Sequence, residues 1–260
     1  MTNPAGSFIW YELMTTDAVA AKAFYPGLLG WRISDDADYA HIEASEGMVG
    51  GILPLSPEMT QGGARPGWFA YVAVEDVDAT VRTIEQRGGR VLMPARDMAD
   101  VGRFALVADP HGAPFYVITP QPPAGRPDAD SNAFAADRPI LGHCAWNELS
   151  SDDPAAAWSL YGALFGWTKD GEMDMGELGQ YEFIRHGSHM IGAIMPRMPQ
   201  MPVSAWTYYF RVPDIDAAAA YIKANGGTLF MEPVEIPGGE YSLNAADPQG
   251  AAFGLVGPRP

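Results

Sequence analysis

Two glutamates stand in matching surroundings, Glu12 within Trp10-Tyr11-Glu12-Leu13 and Glu148 within Trp146-Asn147-Glu148-Leu149. Residues two apart on a strand share a face, so each carboxylate lies on the same side as a tryptophan. A carboxylate walled by apolar groups is desolvated, which raises its pKa and suits it to act as a general base. The same group would also bind a cationic or hydroxyl-bearing ligand. Internal pairing is the alternative: Glu148 with Arg211 or Tyr209, Glu12 with Arg103. Tyr71 and Tyr209, with the two tryptophans, offer either a stacking floor for a flat ligand or ordinary core packing. Arg211 has Ala73 as its counterpart in the first half, so an Arg211–Glu148 pair would leave Glu12 the less compensated acid.

The remaining reactive side chains are less telling. His143 lies three residues before Trp146 and so turns to the opposite face. His111 sits in an Asp-Pro-His-Gly turn whose counterpart carries Gln249, and His186 and His189 flank Gly187-Ser188 at a hairpin tip, which reads as a solvated turn or, less simply, as a pair sharing a metal. His41 alternates with Tyr39 and Glu43 on a strand, where an isolated imidazole has little specificity. Cys144 shares a face with Trp146, has no histidine at a spacing that marks a nucleophile pair, and reads as a small buried thiol. No glycine-rich phosphate loop and no nucleophile elbow is present.

These groups are positioned by a duplicated unit. Tyr25 and Gly30-Trp31 recur as Tyr161 and Gly166-Trp167 at an offset of 136; further on the offset becomes 138. There Tyr71, Val74, Asp76, Asp78 and Gly88-Gly89 match Tyr209, Val212, Asp214, Asp216 and Gly226-Gly227, and Asp109-Pro110-His111-Gly112 matches Asp247-Pro248-Gln249-Gly250. Each half holds a fainter repeat in which an aspartate N-cap opens a helix that stops at glycine, Asp17 to Gly30 and Asp76 to Gly89. Pro154 suits a first helical turn, whereas Pro26 is expected to kink or end its helix. Short β-rich runs such as Phe69–Val74, Phe104–Val107 and Trp206–Val212 read as strands. A module of one strand, one helix and three strands has too little core to stand alone, so modules pair. The chain divides into residues 1–120, a solvated, proline-rich linker at 121–139, and residues 140–260.

Strand-Asp-helix-Phe-Tyr-x-x-x-x-Gly-Trp, followed by Gly-Gly and by Asp-Pro-x-Gly before a last strand, resembles the vicinal oxygen chelate superfamily of glyoxalases, bleomycin-resistance proteins and extradiol dioxygenases. The resemblance covers nearly the whole chain twice. It implies an α+β fold of two tandem glyoxalase-like domains, each made of two paired βαβββ modules forming a curved sheet around a cup of ~300–1,000 Å³. Metal-dependent members carry His, Gln or Glu on inward strand positions, and these positions fall at Trp10, Phe69, Tyr116, Trp146, Thr207 and Gly254. None is a usual ligand for such a metal. The expectation is therefore no cofactor, and a cup lined by Trp10, Glu12, Tyr71, Tyr116, Trp146, Glu148, Tyr209 and Arg211 that binds a small, partly aromatic molecule. The other reading is a glyoxalase- or dioxygenase-type enzyme (lyase, isomerase or ring-cleaving oxygenase) with Glu12 or Glu148 as base, or with a rearranged divalent site.

Composition limits the partners. The 260 residues carry 32 acidic and 16 basic side chains, a net charge of −16 that repels phosphate backbones and anionic lipid. The lone cysteine requires no oxidising compartment, the start at Met1-Thr2-Asn3 lacks a secretory signal, and no apolar run spans a bilayer. A cytoplasmic location, a small-molecule partner and compatibility with a homodimer follow as expectations.

Overall fold

A computed structural model describes residues 3–122, 129–199 and 201–260. The first repeat runs β1 (Phe8–Thr15), α1 (Ala18–Leu29), β2 (Arg32–Ile33), β3 (Ala40–Ala44), β4 (Gly47–Pro54), α2 (Pro57–Gln61), β5 (Gly67–Ala73), α3 (Val77–Gln86), β6 (Arg90–Met98), β7 (Gly102–Ala108) and β8 (Pro114–Pro120). The second runs β9 (Cys144–Ser151), α4 (Pro154–Phe165), β10 (Thr168–Asp174), β11 (Gln180–His186), β12 (His189–Pro196), β13 (Ala205–Arg211), α5 (Ile215–Ala224), β14 (Thr228–Glu235), β15 (Tyr241–Ala246) and β16 (Ala252–Gly257). Each repeat forms one mixed eight-stranded sheet, ordered β2-β3-β4-β1-β5-β8-β7-β6 and β10-β11-β12-β9-β13-β16-β15-β14. The fold is α+β, two copies of one architecture. Among the described residues no helix is long and apolar enough to cross a membrane.

The helices start and stop where local chemistry dictates. Asp17 and Asp153 accept from the N–H groups of Ala20 and Ala156, satisfying donors that the first turn leaves open. Gly30 and Gly166 end α1 and α4 at φ 67° and 68°, a left-handed conformation that costs glycine little. Pro26 does not end α1: the helix continues through it to Leu29, and the Gly30 N–H bonds the Pro26 carbonyl.

By contact the chain forms two compact units, one of residues 1–9, 70–131 and 147–206, the other of residues 10–69, 132–146 and 207–260. Each unit takes one βαβββ module from each repeat. Within the second unit, Trp68 on β5 donates to the Tyr25 hydroxyl on α1 at 3.0 Å, and Tyr25 donates to Asp247 at 3.0 Å. The first unit repeats this chain: Trp206 donates to Tyr161 at 3.2 Å, and Tyr161 to Asp109 at 3.1 Å. Both aspartates also accept from backbone N–H groups of their own Asp-Pro-x-Gly turns. The repeated landmarks Tyr25/Tyr161 and Asp109/Asp247 are thus the two ends of one buried bond, made between modules far apart in sequence.

Burial pushes the carboxyls of Asp109 and Asp247 above the ordinary aspartate value, against the lowering effect of the turn N–H groups and the tyrosines. The folded state therefore holds these two protons more tightly than the unfolded chain, and their contribution to stability grows as pH falls through the window between the folded and unfolded values. Asp78, Asp152 and Asp216, held low by Arg103, Arg197 and Arg259, act in the opposite sense: their contribution is lost as pH falls through their depressed values. Carboxyl-carbon NMR titration should place the midpoints of Asp109 and Asp247 above those of the three paired aspartates. Midpoints in the reverse order would show that burial does not dominate.

Most described residues of the proline-rich segment are exposed, and several are tied to neighbouring strands. Pro123 and Pro127 lie outside the described residues, but beyond them the Ser131 hydroxyl donates to the Ile9 carbonyl at 2.6 Å and Ala133 is fully buried. Phe134 bridges Cys144, and Arg138 pairs with Glu46. The backbone of this segment finds partners that a free linker would find in water.

Candidate functional site

Strand alternation sorts the side chains into two faces. Trp68, Tyr208 and Phe210 point toward the helices and their aromatic core, since Trp68 bonds Tyr25 and both Tyr208 and Phe210 pack on Tyr11. Residues one step along point to the other face. In the first sheet these are Trp10 and Glu12 on β1, Tyr71 on β5 and Tyr116 on β8; in the second sheet they are Glu148 on β9 and Tyr209 and Arg211 on β13.

On the β1 side, the Trp10 indole donates to the Tyr39 hydroxyl at 2.8 Å, and Tyr39 in turn hydrogen-bonds Glu12, which is 2% exposed. The His41 ring stands edge-on to both Tyr39 and Trp10, at 5.4 and 6.2 Å. Burial and the adjacent Glu12 charge push the Tyr39 hydroxyl well above its ordinary pKa, so it stays a neutral donor. The second repeat builds the same pair: the Tyr181 hydroxyl donates to Glu148 at 2.7 Å, with Phe183 edge-on in the place of His41. Tyr39 and Tyr181 were not among the candidates read from the sequence. They stand 142 positions apart, an offset hidden by a longer connection after Trp167 than after Trp31.

The arginine pairings expected for these acids are corrected. Arg211 forks onto Glu240, at 2.5 and 2.9 Å, and not onto Glu148. Arg103 bonds Asp78 and Asp97, not Glu12. Each arginine found a carboxylate nearer in the chain: Arg211 one in the turn between β14 and β15, Arg103 one on α3 and one on β6.

Tyr71 and Tyr116 stack at 4.0 Å with an interplanar angle of 8°, Phe104 lies against both, and all three are buried. Tyr209 meets a different neighbour, because Gly254 occupies the position of Tyr116; its hydroxyl accepts from the Asn244 amide at 3.0 Å. A Cβ at residue 254 would lie 2.3 Å from the Tyr209 ring, so the ring holds its present position over residue 254 only because that residue is glycine. Trp146 is half-buried, its carbonyl accepting from the Cys144 thiol. Burial pushes that thiol up to about 12, which removes the thiolate at neutral pH. His143 is buried with Nδ1 2.7 Å from the Asn132 carbonyl, and burial lowers its pKa. His186 and His189 pair across the hairpin, and His186 Nε2 lies 2.9 Å from the Ala5 carbonyl. A shallow recess lined by Thr16, Leu55, Pro57, Thr60 and Gln61 involves none of these residues and has no charged group.

The chain belongs to the Glyoxalase/Bleomycin resistance protein/Dioxygenase superfamily, whose family model matches residues 7–117 and again 140–255. It is 36% identical over 259 residues to the Mycobacterium tuberculosis protein named "Putative glyoxylase CFP32", covering 96% of this chain and 94% of that one. It is 29% identical over 273 residues to "Anthracycline biosynthesis protein DauV" of Streptomyces sp. strain C5, covering 96% and 93%. The Mn(II)-bound glyoxalase from Novosphingobium aromaticivorans superposes with a TM-score of 0.66 over 98% of this chain and 82% of that one, at 17% identity, a likeness of fold alone.

A divalent metal does not fit the residues present. Trp10, Phe69, Tyr116, Trp146, Thr207 and Gly254 offer no imidazole or carboxylate, and among the described residues no three His, Cys, Asp or Glu side chains gather to hold an ion. Glu12 and Glu148 are each engaged by a tyrosine.

Proposed function

We propose that the chain binds a small, partly aromatic molecule against the sheet faces turned away from the helices, with Glu12–Tyr39 and Glu148–Tyr181 as polar recognition groups. The observation that carries this reading is the recurrence of one buried glutamate–tyrosine bond in both repeats, set among aromatic rings. A buried carboxylate with an attached hydroxyl is a directional acceptor, and rings beside it give a flat ligand apolar area to cover. The DauV relative, named for anthracycline biosynthesis, supports a flat aromatic ligand class. The competing reading is a glyoxalase-type enzyme, favoured by the name of the mycobacterial relative. Elemental analysis after dialysis separates the two: stoichiometric divalent metal that survives would overturn metal-free binding.

The acids can be tested singly. Glu12→Gln and Glu148→Gln keep shape and remove charge, and each is expected to weaken a ligand bound through that carboxylate by about 1–3 kcal/mol. Titration calorimetry with hydroxylated aromatics checks this, and affinities equal to wild type for both variants would exclude the carboxylates as recognition groups.

A further inference from the structure

The faces of the two repeats differ in chemistry at matched register. Next to Tyr71, the first repeat presents Ala73, Phe104, Leu106, Tyr116 and Ile118, all buried except the half-exposed Leu106. Next to Tyr209, the second presents Arg211, Ser242, Asn244, Gly254 and Val256. Phe104 has become Ser242, Leu106 has become Asn244, and Tyr116 has become Gly254. Three large apolar groups are thus replaced by two small polar ones and a hydrogen, while Ala73 is replaced by arginine. Ser242 and Asn244 are half-exposed, whereas their counterpart Phe104 is sealed, and the Arg211 side chain is 14% exposed.

Arg211 is held in an incomplete way. Glu240 takes Nη1 and Nη2, but Nε is buried with no hydrogen-bond partner among the described residues. An arginine offers five N–H donors, and a buried donor left open is unfavourable. Glu240 follows Gly238 and Gly239, at φ 104° and 83°, in the turn joining β14 to β15, and its own side chain is 36% exposed. The first repeat has Gly102 where Glu240 stands, so it has neither member of the pair.

We propose that this face of the second repeat is a ligand-recognition surface, and that Arg211 receives an anionic oxygen, a carboxylate or phenolate, of a flat aromatic ligand in competition with Glu240. The inference rests on the small-molecule reading above and adds the repeat, the charge and the competing group. Guanidinium matches a planar carboxylate through two parallel hydrogen bonds, and Glu240 on its double-glycine turn keeps that fork neutralised until a ligand replaces it. Asn244 and Ser242 supply a neutral amide and a hydroxyl beside it, and the space over Gly254 lets the Tyr209 ring lie flat.

The test is calorimetric titration of the whole chain with 2-naphthoate and with its neutral isostere 2-naphthamide. Wild type is expected to bind the carboxylate at least about 10-fold more tightly than the amide, the effect of a charge-assisted hydrogen bond. Arg211→Gln should erase that preference. Glu240→Gln, which removes the competitor, should tighten naphthoate and leave naphthamide unchanged, a result that a purely structural ion pair would not give. Ser242→Phe, which installs the residue of the first repeat, should weaken both. Should Arg211→Gln fail to fold, the Glu240 and Ser242 variants decide. Equal binding of both compounds, or a preference indifferent to Glu240→Gln, overturns this inference while leaving aromatic binding in place. No binding of either compound at millimolar concentration overturns both.

Discussion

Tyr25→Phe is expected to destabilise the protein by about 2–5 kcal/mol, because it strips two buried groups of one shared partner at once. The hydroxyl accepts from the Trp68 indole and donates to Asp247, both at 3.0 Å, and Tyr25 is fully buried. Neither orphan can turn to water. The ring itself, stacked on Trp31 and edge-on to Trp68 and Phe24, stays in place in the variant, so the loss reports the hydrogen bonds and not a cavity. Urea denaturation of Tyr25→Phe and of the equivalent Tyr161→Phe measures it. Both should shift the midpoint by similar amounts, since Trp206 and Asp109 flank Tyr161 in the same way. A change under about 0.5 kcal/mol in both would show that these bonds are exchanged for equally good ones on mutation.

Phe210→Ala should cost about 3–5 kcal/mol, the range for truncating a buried aromatic residue whose surroundings cannot close the gap. Phe210 is fully buried and its ring meets Tyr11, Trp31 and Trp68 at centroid distances of 5.8, 5.2 and 5.0 Å. Three rings on separate elements cannot all move into the vacated space without disturbing the bonds that Trp31 and Trp68 make. The next residue is Arg211, so relaxation of β13 would also move the guanidinium. Phe210→Leu, which keeps more of the volume, should recover a large part of the loss in thermal melts; equal melting of Phe210→Ala and wild type would mean the ring is not load-carrying in the core.

Much of the architecture was legible because duplicated landmarks mark backbone needs. The aspartates opening α1 and α3, the glycine closing α1 and the Asp-Pro-x-Gly turns all do local work, and local work leaves a signature within a few residues. The α+β class and the membership of both halves in one superfamily followed from these landmarks. Pro26 misled because a proline in the last turn of α1 removes a single N–H, which a helix already near its end tolerates. That modules pair was legible, but the bond across repeats was not: Tyr25 and Asp247 are both conspicuous, yet nothing in a linear pattern says that a helix of one repeat seeks a turn of the other.

The candidate site was read in outline only. Glu12 and Glu148 were found because they sit beside tryptophans in matching tetrads, whereas Tyr39 and Tyr181, their hydrogen-bond partners, fell in a stretch where loop length shifts the register. Arg211 was noticed and its partner was misplaced. Charge alone does not choose between two carboxylates, and Glu240 wins from the β14–β15 turn, within reach of Arg211 although β16 stands between β15 and β13.

The exchange of modules between repeats bears on how such a chain could arise. Residues 1–120 alone contain Tyr25 but not Asp247, and Asp109 but not Tyr161, so a solitary first repeat leaves both bonds half made. The second repeat supplies the missing half of each bond, Asp247 for Tyr25 and Tyr161 for Asp109. Carrying both repeats in one chain makes the meeting of these halves intramolecular, at an effective concentration in the millimolar range. Once joined, the copies no longer need to be identical, and one can keep Tyr116 and Phe104 while the other acquires Arg211, Ser242 and Gly254.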